Sequence, residues 1–344
     1  MKKTFGIFFI LVFSLALGVG LRGMSEKQVI SEGKTELANI IETSKPIQKE
    51  EKKESAPITL LFAGDLMLER GVEYYTEKIG GGNRNFPFLL AEEYLNSFDT
   101  VIVNLEGPIS DKGVKLGSIY SFKMNPEVIP AIMRANIGVV NFANNHVWDY
   151  GRDAFEDTLT RLENAKIGYF GAGWNESSAY GAYMWQKDDV RVAFLGFSEF
   201  LPHVEAGKQT SGIAYAGPKK IKTAIETAKK NSDVVIVSFH FGEEYFSEPI
   251  ERQEYLAHIA VDAGADLVIG HHPHVIETEE MYNGVKIFYS LGNLIFDQNF
   301  SEETMTPGLL EVEIKEKKIT STTLKKAKLN KFYQLIPPKE TLQK

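Results

Sequence analysis

The chain has 344 residues, 43% of them apolar, no cysteine and a formal net charge of −8 at pH 7. That length supports a large α/β domain with a sizeable core, while the missing thiols exclude a disulfide framework, a thiolate zinc site, an iron–sulfur cluster and a cysteine nucleophile. The charge is uneven: residues 1–21 carry +2, residues 22–57 balance seven basic against seven acidic groups, and residues 58–344 hold −10, an acidic body that argues against nucleic-acid binding.

The first element is Met1-Lys2-Lys3-Thr4 followed by seventeen residues, Phe5–Leu21, interrupted only by Ser14 and three glycines. It reads as an export signal whose apolar run stands at the short limit of a spanning helix, about 17–25 residues. An uncleaved single-pass anchor in the cell membrane is the preferred outcome; cleavage at the small-x-small pattern Ala16-Leu17-Gly18, giving a secreted protein, is the alternative. Lys2 and Lys3 keep the N-terminus in the cytoplasm and the body outside. Residues 22–57 are rich in Glu, Lys, Ser, Gln and Thr and bury too little apolar surface to offset their ordering entropy, so they read as a charged, disordered tether with at most a local helix around Leu37–Ile41.

From Ile58 onward, apolar β-branched runs alternate with amphipathic stretches. Strands are expected at Ile58–Ala63, Val101–Leu105, Val139–Ala143, Val190–Phe197, Val234–Phe239, Leu267–Ile269 and Lys286–Ser290. Helices are expected at Pro126–Ala135, capped by Asn125 and closed by Gly138, and at Ala154–Ala165, Pro218–Lys229 and Glu251–Ala263, where apolar residues recur at helical spacing. Near-continuous apolar strands between helices indicate α/β architecture with the sheet buried on both faces. Leu309–Ile314 and Ile319–Lys328 read as an added antiparallel hairpin. The domain spans 58–330 and a C-terminal tail 331–344 follows.

What ends each strand is the informative feature. Gly64-Asp65, Asn104-Leu105-Glu106-Gly107-Pro108, Asn144-Asn145-His146, His240-Phe241-Gly242, Gly270-His271-His272-Pro273-His274 and Gly292-Asn293 deliver ligand-type side chains at six C-terminal strand ends. In α/β sheets those ends share one crevice, so residues 200 positions apart can converge there. Five of the seven histidines fall in these segments, and a His, Asp, Glu and Asn cluster without cysteine suits two divalent cations bridged by a carboxylate.

These segments, with Leu66-Met67, Asp149-x-Gly151, Val275 and Tyr289-Ser290-Leu291-Gly292-Asn293-x-x-Phe296-Asp297-Gln298, resemble the CapA (PgsA-type) family over roughly residues 58–314. The resemblance implies a calcineurin-like metallophosphoesterase fold, an αββα sandwich of two packed sheets flanked by helices, and a role in synthesis and export of poly-γ-glutamate capsule, alongside other membrane subunits of a capsule synthase. Carried over residue by residue, it assigns Asp65 and His274 to one cation, Glu106 to the bridging position, and Asn145, His240 and His272 to the second. The cations would be manganese, iron or zinc. His146 is left to protonate a leaving group, and Asp149, three residues on, to orient its imidazole. In one respect the chain departs from classical metallophosphoesterases: the position two residues after Asp65, ordinarily His, is Met67, so the first cation lacks a strong ligand.

Other polar residues have plainer readings. Asn144 serves as turn support and His271 as a structural neighbour of the ligands. His203 and His258 are ordinary residues. Asn293 and Asp297 line a substrate pocket or pack the loop, and Lys325, Lys326, Lys328 and Lys331 read as a solvated basic face, with a surface for an anionic polymer as the alternative. Three functions stand: an extracellular, membrane-tethered hydrolase-like component acting in poly-γ-glutamate capsule synthesis; a metal-dependent phosphoesterase acting on an envelope phosphoester; and a non-catalytic polymer-binding assembly subunit, which the missing histidine favours.

Overall fold

A computed structural model describes residues 56–339 together with Lys27. The expected signal at 1–21, almost all of the tether at 22–57 with its helix at Leu37–Ile41, and residues 340–344 lie outside the described residues. Among the described residues no helix is long and apolar enough to cross a membrane.

In chain order the elements are β1 (Ile58–Leu66), α1 (Arg70–Lys78), α2 (Glu92–Leu95), β2 (Thr100–Leu105), α3 (Ile129–Arg134), β3 (Ile137–Asn141), α4 (Gly151–Ala165), β4 (Gly168–Phe170), β5 (Ala172–Gly173), α5 (Glu176–Tyr180), β6 (Tyr183–Lys187) and β7 (Val190–Ser198). There follow β8 (Gly212–Ile213), α6 (Pro218–Lys229), β9 (Val234–His240), α7 (Glu251–Asp262), β10 (Leu267–His271), β11 (Glu279–Tyr282), β12 (Val285–Phe288), β13 (Asn293–Ile295), β14 (Gly308–Lys315), β15 (Lys318–Lys326), β16 (Lys328–Leu329) and β17 (Leu335–Ile336).

Two large sheets form. One runs β15-β14-β1-β2-β3-β4, with β13 also beside β1; the other runs β11-β12-β10-β9-β7-β6. Their centres are parallel; β14 and β15 at one edge of the first sheet and β11 and β6 at the edges of the second run antiparallel, whereas edge strand β4 pairs in parallel with β3. Alternation along β1 shows why the sheets stack. Leu61, Ala63 and Leu66 pack with Phe155, Leu159 and Leu162 of α4, whereas Ile58, Leu60 and Phe62 join Val192, Phe194, Ile236 and Ile269 of the other sheet. Successive side chains point to opposite faces, so one apolar run feeds two cores. The far face of the second sheet packs on α6 and α7 through Val235, Val237, Ile221, Ile225, Leu256 and Ala260. Phe62 and Phe170 reach across to Phe194 at centroid distances of 6.0 and 5.8 Å, within the favourable range for aromatic pairs. The result is the expected metallophosphoesterase-like αββα sandwich.

Several boundaries differ from the sequence reading. The stretch Pro126–Ala135 divides into a 3-10 turn, Pro126–Val128, and the α-helix Ile129–Arg134, because Pro130 has no N–H to continue a regular helix from Pro126. Asn125 does cap it, accepting the Glu127 N–H at 3.0 Å. Gly138 is not its closing residue. Asn136 takes the left-handed conformation at φ 58°, and Gly138 lies inside β3, where a Cβ would meet Thr100 Oγ1 at 2.4 Å. The hairpin forms as expected but stops at Lys326, with Lys325 paired to Glu311 at 2.9 Å; lysines on such an edge strand keep it from pairing with other chains. Nor does folded structure end at 330. β17 pairs with β16, and Tyr333 and Leu335 are buried in the first core. Short β4 and half-exposed β6 lacked a readable apolar pattern, and the helices α1, α2 and α5 went unread.

Candidate metal centre

Strand register builds the site. Across the first sheet, Asp65 pairs with Asn293 on one side and Asn104 on the other, and Asn104 pairs with Asn141, giving a polar row at the C-terminal ends of β1, β2 and β3 and the first residue of β13. Across the second sheet, His240 stands level with Ser198 and His271. Packing the sheets face to face sets these two rows opposite each other.

All six residues expected as ligands come together. Asp65, Glu106 and His240 place one potential donor atom each within 4.8 Å of one another, and all three are buried. His274 Nδ1 lies 3.2 Å from Asp65 Oδ2, and its Nε2 3.7 Å from Glu106 Oε1. Asn145 Oδ1 is 2.8 Å from His240 Nε2, and the His240 and His272 rings are 4.9 Å apart. His272 and His274 occupy the left-handed region, at φ 102° and 59°, on either side of Pro273. Two non-glycine residues held there are strained, a condition that concentrates at functional sites. A third triad member appears that the sequence reading missed: Glu244, whose carboxylate lies within 4.8 Å of His272 and His274 donor atoms.

The electrostatics suit a cation. Burial, reinforced by neighbouring Asp65 and Glu244, pushes the Glu106 carboxyl well above its usual range, and its Oε1 is buried with no hydrogen-bond partner. Burial opposes charge on Asp65 too, but His274, His271 and Asn104 hold it below its usual value. Burial lowers His240 strongly and takes His271 to about 4 and His272 to about 3. Neutral imidazoles keep the lone pair that coordination needs. His240 Nδ1 and His272 Nδ1 are also buried without partners, and orphaned buried polar atoms of this kind call for an ion or water. Donor set and orphaned atoms therefore fit divalent cations.

Met67 does not contribute. It is fully buried with Phe122 and Phe296, and its sulfur lies 3.2 Å from the Glu69 N–H, which donates to it. Beside the cluster, His146 Nδ1 lies 2.7 Å from Asp149 Oδ2, its ring packs 4.0 Å from Phe122, and its Nε2 stands 3.8 Å from Glu106. Asn144 supports its own turn, accepting the His146 N–H at 3.1 Å.

Asn293 and Asp297, read from sequence as lining a substrate pocket or packing the loop, both make side-chain contacts within the fold. Asn293 is fully buried; its oxygen faces His274 at 2.9 Å and its amide donates to Gln298 and to the Thr304 carbonyl. Asp297 is taken up by Arg70 and the Gly71 N–H. Their partners lie 19 and more than 200 residues away, which no local pattern reveals. Asn104, also missed as an orienting residue, donates to Asp65 Oδ1 at 2.8 Å. His258 stacks on Tyr282 at 3.7 Å and pairs with Glu280, an ordinary role.

Residues 59–298 match the family described as Bacterial capsule synthesis protein PGA_cap. The chain belongs to that family. It is 37% identical over 265 residues to the PGA biosynthesis protein CapA of Bacillus subtilis (strain 168), covering 74% of this chain and 67% of that one. It is 33% identical over 294 residues to the capsule biosynthesis protein CapA of Bacillus anthracis, covering 81% and 69%. Among solved structures, a novel phosphatase from Mycoplasma pneumoniae aligns over 84% of this chain and 97% of its own, with a TM-score of 0.50 and 15% identity, a likeness of fold. This member of the PGA_cap family thus shares its sandwich fold with that phosphatase and gathers histidines and carboxylates at the strand ends.

Proposed function

We propose that this PGA_cap protein is a membrane-tethered, outward-facing component of poly-γ-glutamate capsule synthesis or release that holds two divalent cations in a hydrolase-like site. The family and its CapA relatives support the biological role. The observation that carries the chemistry is the convergence of Asp65, Glu106, Asn145, His240, His272 and His274 with three of their polar atoms buried and unpartnered. Bound there, manganese, iron or zinc would supply Lewis-acid polarisation of an acyl or phosphoryl oxygen. The chain's own residues do the rest. Asp149 fixes the imidazole of His146 through Nδ1, which leaves Nε2 to deliver a proton to a leaving group, and Phe122 packs against the other side of the ring. The outward orientation rests on Lys2 and Lys3 ahead of Phe5–Leu21.

A second reading, a phosphoesterase acting on an envelope phosphoester, is favoured by the same His146–Asp149 pair, since a proton donor suits an alkoxide leaving group. The experiment that separates them measures cation content and turnover of the full chain against poly-γ-glutamate and a series of phosphodiesters. Cleavage of the polymer supports the first reading, cleavage of phosphodiesters alone supports the second, and bound cations without turnover of either would leave a binding scaffold.

A further inference from the structure

The loop after β9, Gly242-Glu243-Glu244-Tyr245, is held at both ends. Gly242 adopts φ 93°, donates its N–H to Glu199 Oε1 at 2.6 Å, and sits where a Cβ would strike Gln253 at 2.5 Å. Tyr245 adopts φ 70° and donates its N–H to the Pro273 carbonyl at 2.8 Å. A left-handed conformation is unfavourable for a non-glycine residue, and such strain persists where surrounding contacts over-determine it. Between these anchors stands Glu244, its backbone fixed against the very His272-Pro273-His274 segment whose imidazoles its carboxylate approaches.

Met67 offers the cluster no donor, its sulfur being engaged by the Glu69 N–H and walled by Phe122 and Phe296, whereas the Glu244 carboxylate is a donor beside it that the sequence reading left unassigned. We infer that Glu244 is a metal ligand, forming with His272 and His274 one cation place, while Asp65, Glu106 and His240 form the other, a grouping that unites the two histidines the resemblance had divided between cations. His272 is 6% exposed with Nδ1 unpartnered, so the place has a buried, unsatisfied donor besides the carboxylate. Two imidazoles and one carboxylate leave coordination positions open, as catalytic rather than structural sites do. Glu244 itself is exposed, so this place faces solvent and the other is enclosed. The inference rests on the two-cation reading proposed above.

The test is calorimetric titration of the full chain in detergent with Mn²⁺ and with Zn²⁺, after chelator treatment, comparing the native protein, Glu244→Gln and His240→Ala. Two equivalents are expected for the native chain. In Glu244→Gln one equivalent should weaken by about 100-fold or more, beyond what loss of an orienting neighbour brings, while the other stays unchanged. His240→Ala should lose the complementary equivalent. An unaltered melting temperature without metal confirms that Glu244→Gln is folded. Two unchanged equivalents in Glu244→Gln overturn the role of Glu244 and leave the two-cation reading standing; loss of both equivalents overturns the separate place; no binding by the native chain sinks both.

Discussion

His274 Nδ1 lies 2.9 Å from the side-chain oxygen of Asn293, and both residues are buried. An amide oxygen can only accept, so the imidazole carries its proton on Nδ1 and presents the Nε2 lone pair toward Glu106, 3.7 Å away. Asn293 stands level with Asp65 in the register of β1 and β13, which is how one sheet row both supplies a buried carboxylate and orients a neighbouring imidazole.

The first prediction follows from that contact. Asn293→Ala should weaken cation binding by about 10–100-fold, the usual effect of removing a group that orients a ligand, and His274→Ala should weaken it further. Calorimetric titration measures both; an unchanged affinity in Asn293→Ala would show that its hydrogen bond serves packing alone.

His146 provides a contrast. Because it is proposed as a proton donor rather than a ligand, His146→Ala should keep its cation content while turnover of any substrate the native chain hydrolyses falls by about 10²–10⁴-fold. His272→Ala should lose cation and turnover together. Elemental analysis beside the activity assay separates the two; equal cation loss in both variants would make His146 a ligand.

A pH effect is expected from Glu277. It is 4% exposed, Oε2 accepts from Gln253 at 2.7 Å and Oε1 has no partner. Burial, with a smaller push from Glu248, raises its carboxyl from an ordinary 4.5 to about 8. The folded state therefore binds the proton more tightly than the unfolded chain, and this stabilisation, full below pH 4.5, is lost as pH rises towards 8. Glu277→Gln should flatten the fall in melting temperature between pH 5 and pH 8. Identical slopes for variant and native chain would exclude Glu277 as the source.

The two ends of the chain should respond oppositely to truncation. Residues 22–57 carry little apolar surface and the described core begins at Ile58, so removing 1–55 should leave the melting temperature within a few degrees. Ending the chain at Asn330 removes buried Tyr333 and Leu335 and the Gln334 hydrogen bond to the Phe86 carbonyl, and should cost more than about 3 kcal/mol. Urea unfolding reads both; a stable chain ending at 330 would refute the integral role of β16 and β17.

The sequence by itself determined the α/β class, the main strands and the six clustered polar residues, because apolar periodicity and polar strand ends are local properties of adjacent residues. It equally placed Met67 two residues after Asp65, where the resemblance to metallophosphoesterases leads one to expect a histidine. Only the tertiary structure decided what surrounds that position. Glu244 reaches the histidines because the Tyr245 N–H meets Pro273, 28 residues on. Asn293 and Asp297 meet His274 and Arg70 because strand register and a contact across 227 residues bring them there. Residues beyond 330 belong to the body because Tyr333 and Leu335 find apolar neighbours in the first core. Each of these depends on which distant partner a side chain meets, and that partner is set by how the two sheets pack rather than by spacing along the chain.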